Sequence, residues 1–236
     1  MPQQFQFDRR SVVTYLALVG LAACSSRATS SLVPAAATPV ERSQVTAWVA
    51  TNTADGHQLH RFRWQLQDER GAAGGRGTAR FAAPDSVRLD VAGPLGAGRG
   101  SAVVVGDTAL WTDPPDAIER LVPNYPLMWA MFGQMRMPPE GASLRGLQDA
   151  DVTLWEAVEG ADTITYVRQR EPARLLAEVR SAGKVVGRVE TELSPDGRPT
   201  ASRLTVPSVP ARLNLTFTLS AKSEPFPDTL WHSPRP

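Results

Sequence analysis

The sequence predicts a mainly β protein of the α+β kind: one strongly curved antiparallel sheet, or half-open β-barrel, with an N-terminal helix and a helical lid insert. Two observations predict the sheet. Apolar and polar residues alternate in a long series of segments, and short turns join several of them, which makes neighbouring strands antiparallel. A third observation predicts the helical insert: one central segment, if it is helical, carries apolar residues on all sides of the helix.

The folded part is expected to begin with an amphipathic helix. Thr38 reads as its cap, Pro39 fits the first turn, and Glu41 completes a capping box. Trp48 then falls on the apolar face. We expect this helix to close one side of the core, with Trp48 facing a cavity.

Strands follow through the first half of the chain. Apolar residues alternate with polar ones in two of them, as Phe62, Trp64 and Leu66 and as Val87, Leu89 and Val91. The glycine-rich stretch 70–77 reads as a loose turn. A second glycine-rich loop, 93–100, carries Leu95 at its tip with no neighbour in sequence to bury it, and a strand ending at Trp111 comes later.

The second half reads as a meander, with strands expected over 152–158, 163–168, 175–180, 185–193, 202–206 and 212–219. Around ten strands are expected in all. Because strands and helices do not alternate, a doubly wound parallel sheet is excluded.

A helical insert is expected between residues 114 and 137, with a short helix that starts at 113–116 and a second helix over 126–137. The second helix carries Leu127, Met128, Trp129, Met131, Phe132, Met135 and Met137. One interpretation is a core helix buried all round. The other is a lid with one face on the sheet and the other on a lipid, which the soft, adaptable methionines favour.

The N-terminus has the form of a bacterial lipoprotein signal. Arg9 and Arg10 precede an apolar run too short to span a bilayer, and Leu-Ala-Ala leads directly to Cys24, the single cysteine. We expect a signal peptide over 1–23, lipidation at Cys24, a flexible tether over 24–37 and one domain over 38–236. An ordinary signal peptide with an incidental cysteine is the alternative, and general or twin-arginine export both fit.

Several classes of function find no support. The formal net charge is +1, which offers no electrostatic case for nucleic acid. His57 and His60 are three apart in a strand-like run, so they face opposite sides and make a poor metal pair. No catalytic constellation, metal site or cofactor motif is found, and we expect a protein that is not an enzyme.

Two motifs resemble the LolA/LolB-like superfamily of lipoprotein carriers and receptors, and LolB most of all. One is the strand, Pro94-Leu95-Gly96, strand arrangement. The other is Tyr125 to Gly133, similar to the Pro-Leu start and aromatic-Gly end of a helix in that family. The resemblance implies that Leu95 helps push lipoproteins into the membrane.

The resemblance and the lipoprotein signal that ends at Cys24 together predict a monomeric lipoprotein anchored in the outer membrane and facing the periplasm. It would take acyl chains from a periplasmic LolA-like carrier and insert them into that membrane. Its cavity would be lined by Trp48, Trp64, Leu66, Leu89, Val91, Trp111, Leu127, Met128, Met131, Phe132 and Met135. Two alternatives stay open: a carrier of another lipid or glycolipid, and an envelope scaffold or sensor with a filled core.

Overall fold

The computed structural model describes residues 32, 36–53, 55–94, 98–115 and 124–232. The chain divides into two units, 1–31 and Leu32–Pro236, and the description below concerns the second. Cys24, Leu95, Gly96 and the expected short helix after Asp116 lie outside the described residues.

Strands make up most of this unit. They are β1 Thr38–Pro39, β2 His57–Asp68, β3 Gly71–Ala82, β4 Ser86–Ala92, β5 Arg99–Val105, β6 Thr108–Asp113, β7 Ser143–Gln148, β8 Val152–Glu159, β9 Asp162–Gln169, β10 Arg174–Ser181, β11 Lys184–Leu193, β12 Pro199–Val206 and β13 Ala211–Ser223. The described helices are α1, Arg42–Asn52, and α2, Tyr125–Met131, with a 3-10 turn at Asp228–Trp231.

All thirteen strands form one antiparallel sheet in the order β1-β7-β8-β9-β10-β11-β12-β13-β2-β3-β4-β5-β6. The sheet is open, because β1 and β6 stand at its two edges. The sheet also curls around α2. The ring centres of Phe81 on β3 and Trp129 on α2 are 5.6 Å apart, while Thr191 on β11 donates a hydrogen bond to the carbonyl of Ala130, the next residue of that helix. Those strands are four positions apart, about 19 Å in a flat sheet. The predicted fold class is confirmed.

The predicted start of the first helix is wrong. Thr38 and Pro39 form β1, which pairs with Arg145 and Gly146 of β7. Proline lacks the donor that an inner strand needs, and an edge strand tolerates it. The helix begins at Arg42 with Glu41 as its cap, whose backbone N–H donates to Oε1 of Gln44 at 3.1 Å.

The predicted loose turn over 70–77 is also wrong, because β3 runs through it from Gly71. Its glycines are needed for close approach. A Cβ on Gly77 would lie 2.3 Å from Cζ of Phe62, and one on Gly75 would lie 1.9 Å from the carbonyl oxygen of Ala92. The missing side chains therefore leave room for a β2 ring and for the backbone of β4.

The end of the predicted tether packs on the sheet. Ala37 is buried, and Nη2 of Arg145 donates to its carbonyl at 2.8 Å. Ala37 and Leu32 join Leu154 and Val167 in a small apolar cluster on the convex face. Ala37, at the end of the predicted tether, is therefore held on the sheet.

Candidate functional site

The concave face of the sheet holds α2 at its centre. This helix packs against β10, β11 and β12, and every residue from Pro126 to Met131 is buried. Phe132 and Met135 continue the buried run after the helix ends, whereas Met137 is 42% exposed. The helix is shorter than the predicted 126–137, because Gly133 at φ +75° turns the chain out of it.

Hydrogen bonds from strands on both sides hold α2 in place. Oγ1 of Thr191 donates to the Ala130 carbonyl at 2.7 Å, and the Tyr166 hydroxyl donates to the Pro126 carbonyl at 3.3 Å. On the other side, Nε1 of Trp129 donates to the Gly106 carbonyl at 2.9 Å. A bond of this kind stabilises a fold by about 0.5–1.5 kcal/mol net. Together they favour the seated position of α2 by a few kcal/mol.

An aromatic cluster surrounds the end of α2. The Phe132 ring lies 5.2 Å from that of Phe81, 5.7 Å from Phe62 and 5.9 Å from Phe217. Three strands thus converge on one side chain. Tilted and edge-on aromatic pairs contribute about 0.5–1.5 kcal/mol each beyond their burial, so these three ring contacts hold Phe132 firmly in the core.

His60 lies within the same aromatic cluster and is 1% exposed. Its Nε2 pairs with Oε1 of Gln58 at 3.2 Å, and Nδ1 has no hydrogen-bond partner among the described residues. Burial, and secondarily the positive charge of Arg198, lower the pKa of His60 to about 4. The side chain is therefore neutral near pH 7. His57 instead contacts the Phe226 ring at 5.6 Å.

The predicted cavity residues mostly meet around α2. Leu89, Leu127, Met128, Met131, Phe132 and Met135 are buried in one apolar core, and Trp48, Trp64, Leu66 and Val91 pack half-buried against it. Pro94, in the loop with Leu95, is exposed. The structure thus brings most of the set together around α2.

Trp111 is the exception, and its predicted place in the cavity is wrong. Trp111 on β6 lies opposite Val103 of β5, and Val103 lies opposite Arg88 of β4. The side chains of all three therefore lie on the convex face. The Arg88 guanidinium stands 5.3 Å from the Trp111 ring centre, and Nε1 of Trp111 donates to the Trp231 carbonyl at 3.3 Å. A register shift between Val103 and Val104 places Val104 opposite Ala109 and so skips one residue of β6. The sequence does not reveal that shift.

Among the described residues, the cavity found beside α2 is small. One cavity, of about 20 Å³, lies between Phe81, Trp129 and Met135 and has Gln58 on its wall. A water molecule needs about 10–15 Å³ measured this way, and ligand pockets are typically about 300–1,000 Å³. This cavity therefore admits an acyl chain only if α2 moves.

Some residues of the site were not predicted. Trp155 and Tyr166 are fully buried, with ring centres 4.7 Å apart, and burial raises the pKa of Tyr166, which keeps its hydroxyl neutral as a donor. Thr191 and Ser202 share a 2.9 Å hydrogen bond beneath α2. The period-two pattern places these residues inward but does not show which of them touch the helix.

Other kinds of site are not evident in the described part of the chain. It holds no group of three His, Cys, Asp or Glu side chains that would bind a metal ion. Nor do its helices include one long and apolar enough to cross a membrane.

Comparison with known proteins finds neither a matching family model nor a matching curated protein. Solved structures do match. One is a "putative outer membrane lipoprotein-sorting protein domain" from Vibrio parahaemolyticus, with 8% identity and a TM-score of 0.49 over 80% of this chain and 94% of that one. Another is a DUF1329 family protein from Desulfovibrio piger, with 8% identity and a TM-score of 0.48 over 81% and 95%. The resemblance to LolB stays a prediction.

Proposed function

We propose that this protein is a lipid-binding lipoprotein of the bacterial envelope and that α2 fills its acyl-chain site when no lipid is bound. The observation that carries the proposal is a helix of seven residues, Tyr125–Met131, with apolar side chains on all its faces. It lies in the concave face of an open sheet, held by a few hydrogen bonds. An acyl chain can take its place on the same apolar surface.

The free energy of burying the α2 side chains is of the same order as that of burying an acyl chain in their place. Burying a large apolar side chain stabilises by about 1.5–3 kcal/mol, so Leu127, Met128, Trp129, Met131 and Phe132 together contribute about 7–15 kcal/mol. An acyl chain with about 15 methylenes gains about 12 kcal/mol. Replacing one by the other is close to balanced, as passive transfer without ATP requires.

Delivery to the outer membrane is the finer part of the proposal. Lipidated Cys24 would anchor the protein, a periplasmic LolA-like carrier would supply lipoproteins, and Leu95 would enter the bilayer after binding. Leu95→Glu should then leave melting and acyl-chain binding nearly unchanged while delivery of a lipoprotein into liposomes falls. A sharp fall in melting temperature would instead return Leu95 to the core, through lost burial and a buried charge.

A second function is favoured by the 20 Å³ cavity. If α2 never leaves its seat, the protein is an envelope scaffold or sensor with a filled core. A carrier of a free lipid or glycolipid is a variant of the first function, and it differs from it in cargo only.

Mass spectrometry of lipid extracted from the purified protein tests the proposal. We expect an acylated molecule in stoichiometric amount, and its identity separates lipoprotein from free lipid as cargo. Leu175→Asp is the matched variant: Leu175 is buried in this core on β10 and stays in the sheet when α2 leaves. An unpaired charge at that position is costly and should abolish binding. A protein that carries no lipid and takes up no fluorescent fatty acid would be the scaffold.

A further inference from the structure

A strongly basic face lies on the convex side of the sheet, away from α2. It comprises the exposed side chains of Arg61 and Arg63 on β2, Arg76 on β3, Arg203 on β12 and Arg212 on β13. These four strands are adjacent in the order β12-β13-β2-β3. We call these five arginines the basic face.

The register places these charges close together. Arg63 lies directly opposite Arg76, where Cα atoms are about 5 Å apart. Arg61 is two residues further along β2, about 7 Å away. On the other side, Arg203 and Arg212 lie about 12 Å and about 14 Å from Arg63 and about 8 Å from each other. The pairs Arg63–Arg76, Arg61–Arg63 and Arg203–Arg212 are therefore within or near the screening length of about 8 Å at physiological salt.

Carboxylates are missing from this part of the convex face. No outward-facing residue of β2, β3, β12 or β13 is Asp or Glu, and within the described ranges none of the five arginines forms an ion pair. The nearest acids lie on the neighbouring strands β4 and β11. Asp90 pairs with Arg80 at 2.7 Å, and Glu190, directly opposite Arg203, pairs with Arg174 at 2.9 Å. Glu192 lines the same groove as Arg203, so the positive charge is concentrated on β2 and β3.

This concentration stands out against a formal net charge of +1 for the whole chain. Like charges directly opposite one another on a sheet destabilise it, so Arg63 and Arg76 repel each other in the free protein. An array of anions on a surface would relieve that repulsion. An exposed apolar residue, Val209 at 57% exposure, lies in the turn between β12 and β13 next to Arg212.

We infer that the basic face docks on a membrane surface rich in anionic phospholipid headgroups, with Val209 entering the headgroup layer. The inference rests on the proposed function through the Cys24 anchor alone. Eight residue steps separate Cys24 from Leu32, which packs on the sheet, and they span at most about 28 Å. The anchored domain therefore stays close enough for its convex face to touch the headgroups.

Vesicle binding tests the inference. The chain from residue 24 onward with Cys24→Ser keeps every described core contact, since these lie within Leu32–Pro236. It should bind phosphatidylcholine vesicles that contain phosphatidylglycerol, more weakly as salt rises, and should not bind phosphatidylcholine alone. Each arginine near the surface is worth about 5-fold in affinity, so Arg63→Gln with Arg76→Gln should weaken binding about 25-fold.

A control variant separates the face from net charge. Arg170→Gln with Lys222→Gln removes two exposed charges outside the basic face and should leave vesicle binding unchanged. Equal weakening by both variants, equal binding to both vesicle types, or binding to an acidic protein only would overturn the inference. Fatty-acid uptake by the Arg63/Arg76 variant should stay normal, so failure of the acyl-chain proposal would be seen separately.

Discussion

Loosening α2 should tighten the apparent binding of an acyl chain. Thr191 is fully buried, and its Oγ1 donates to the Ala130 carbonyl and shares a hydrogen bond with Ser202. Thr191→Val keeps the shape of the side chain but leaves both partners unsatisfied, which costs about 1–3 kcal/mol. The part of that cost due to the Ala130 carbonyl falls on the seated state of α2, whereas Ser202 loses its partner whether or not α2 is seated. If binding requires α2 to leave, affinity for a fluorescent fatty acid should rise about 10-fold for each 1.4 kcal/mol.

A matched threonine gives the control. Thr165 is also buried, but on the convex face, where its Oγ1 donates to Oε2 of Glu156 at 3.4 Å. Thr165→Val should lower the melting temperature, by about 2–4 °C per kcal/mol, without changing fatty-acid affinity. If Thr191→Val also lowers melting and leaves affinity unchanged, α2 is an ordinary core helix and the reasoning is refuted.

Three further predictions concern pH, packing and processing. The pKa of His60 is lowered from 6.5 to about 4, so the unfolded state binds a proton first as the solution is acidified. The free energy of unfolding should therefore fall by about 3 kcal/mol between pH 6.5 and 4. Urea titrations of the His60→Gln variant should show a smaller fall, and the same pH dependence for the variant and the wild type would exclude this role of His60. Gly75→Ala should cost several kcal/mol in the same assay because its Cβ meets the Ala92 carbonyl, whereas Ala72→Val on the exposed side should change stability by less than about 0.5 kcal/mol. Cys24→Ala should leave the precursor uncleaved or detached from the outer membrane, and normal fractionation would rule out lipidation.

The sheet could be predicted from the sequence because period-two alternation and short turns are local signals. Phe62, Trp64 and Leu66 alternate strictly, and they do face the core. A glycine-rich segment can be a turn or a strand, and its neighbours in sequence do not decide which. Over 70–77 it looks like a turn, and only the ring of Phe62 and the carbonyl of Ala92, distant in sequence, show why β3 needs it.

The site was predicted in composition more than in geometry. The apolar residues around Met131 gather as expected, but whether they enclose a space or fill one depends on packing between distant strands. Trp111 shows the same limit, since one register shift in β5–β6 separates it from the core. Thr38 and Pro39 satisfy the local rules for a helix start, yet pairing with β7 makes them a strand.

Hydrogen exchange of α2 tests the central claim most directly. The amides of Met128 to Met131 belong to a buried helix, so they should exchange slowly in the lipid-free protein. Saturating fatty acid should remove that protection while β10 and β11 keep theirs, because the chain takes the place of α2 and leaves the sheet intact. Protection of α2 that is unchanged or increased with fatty acid bound would contradict the account.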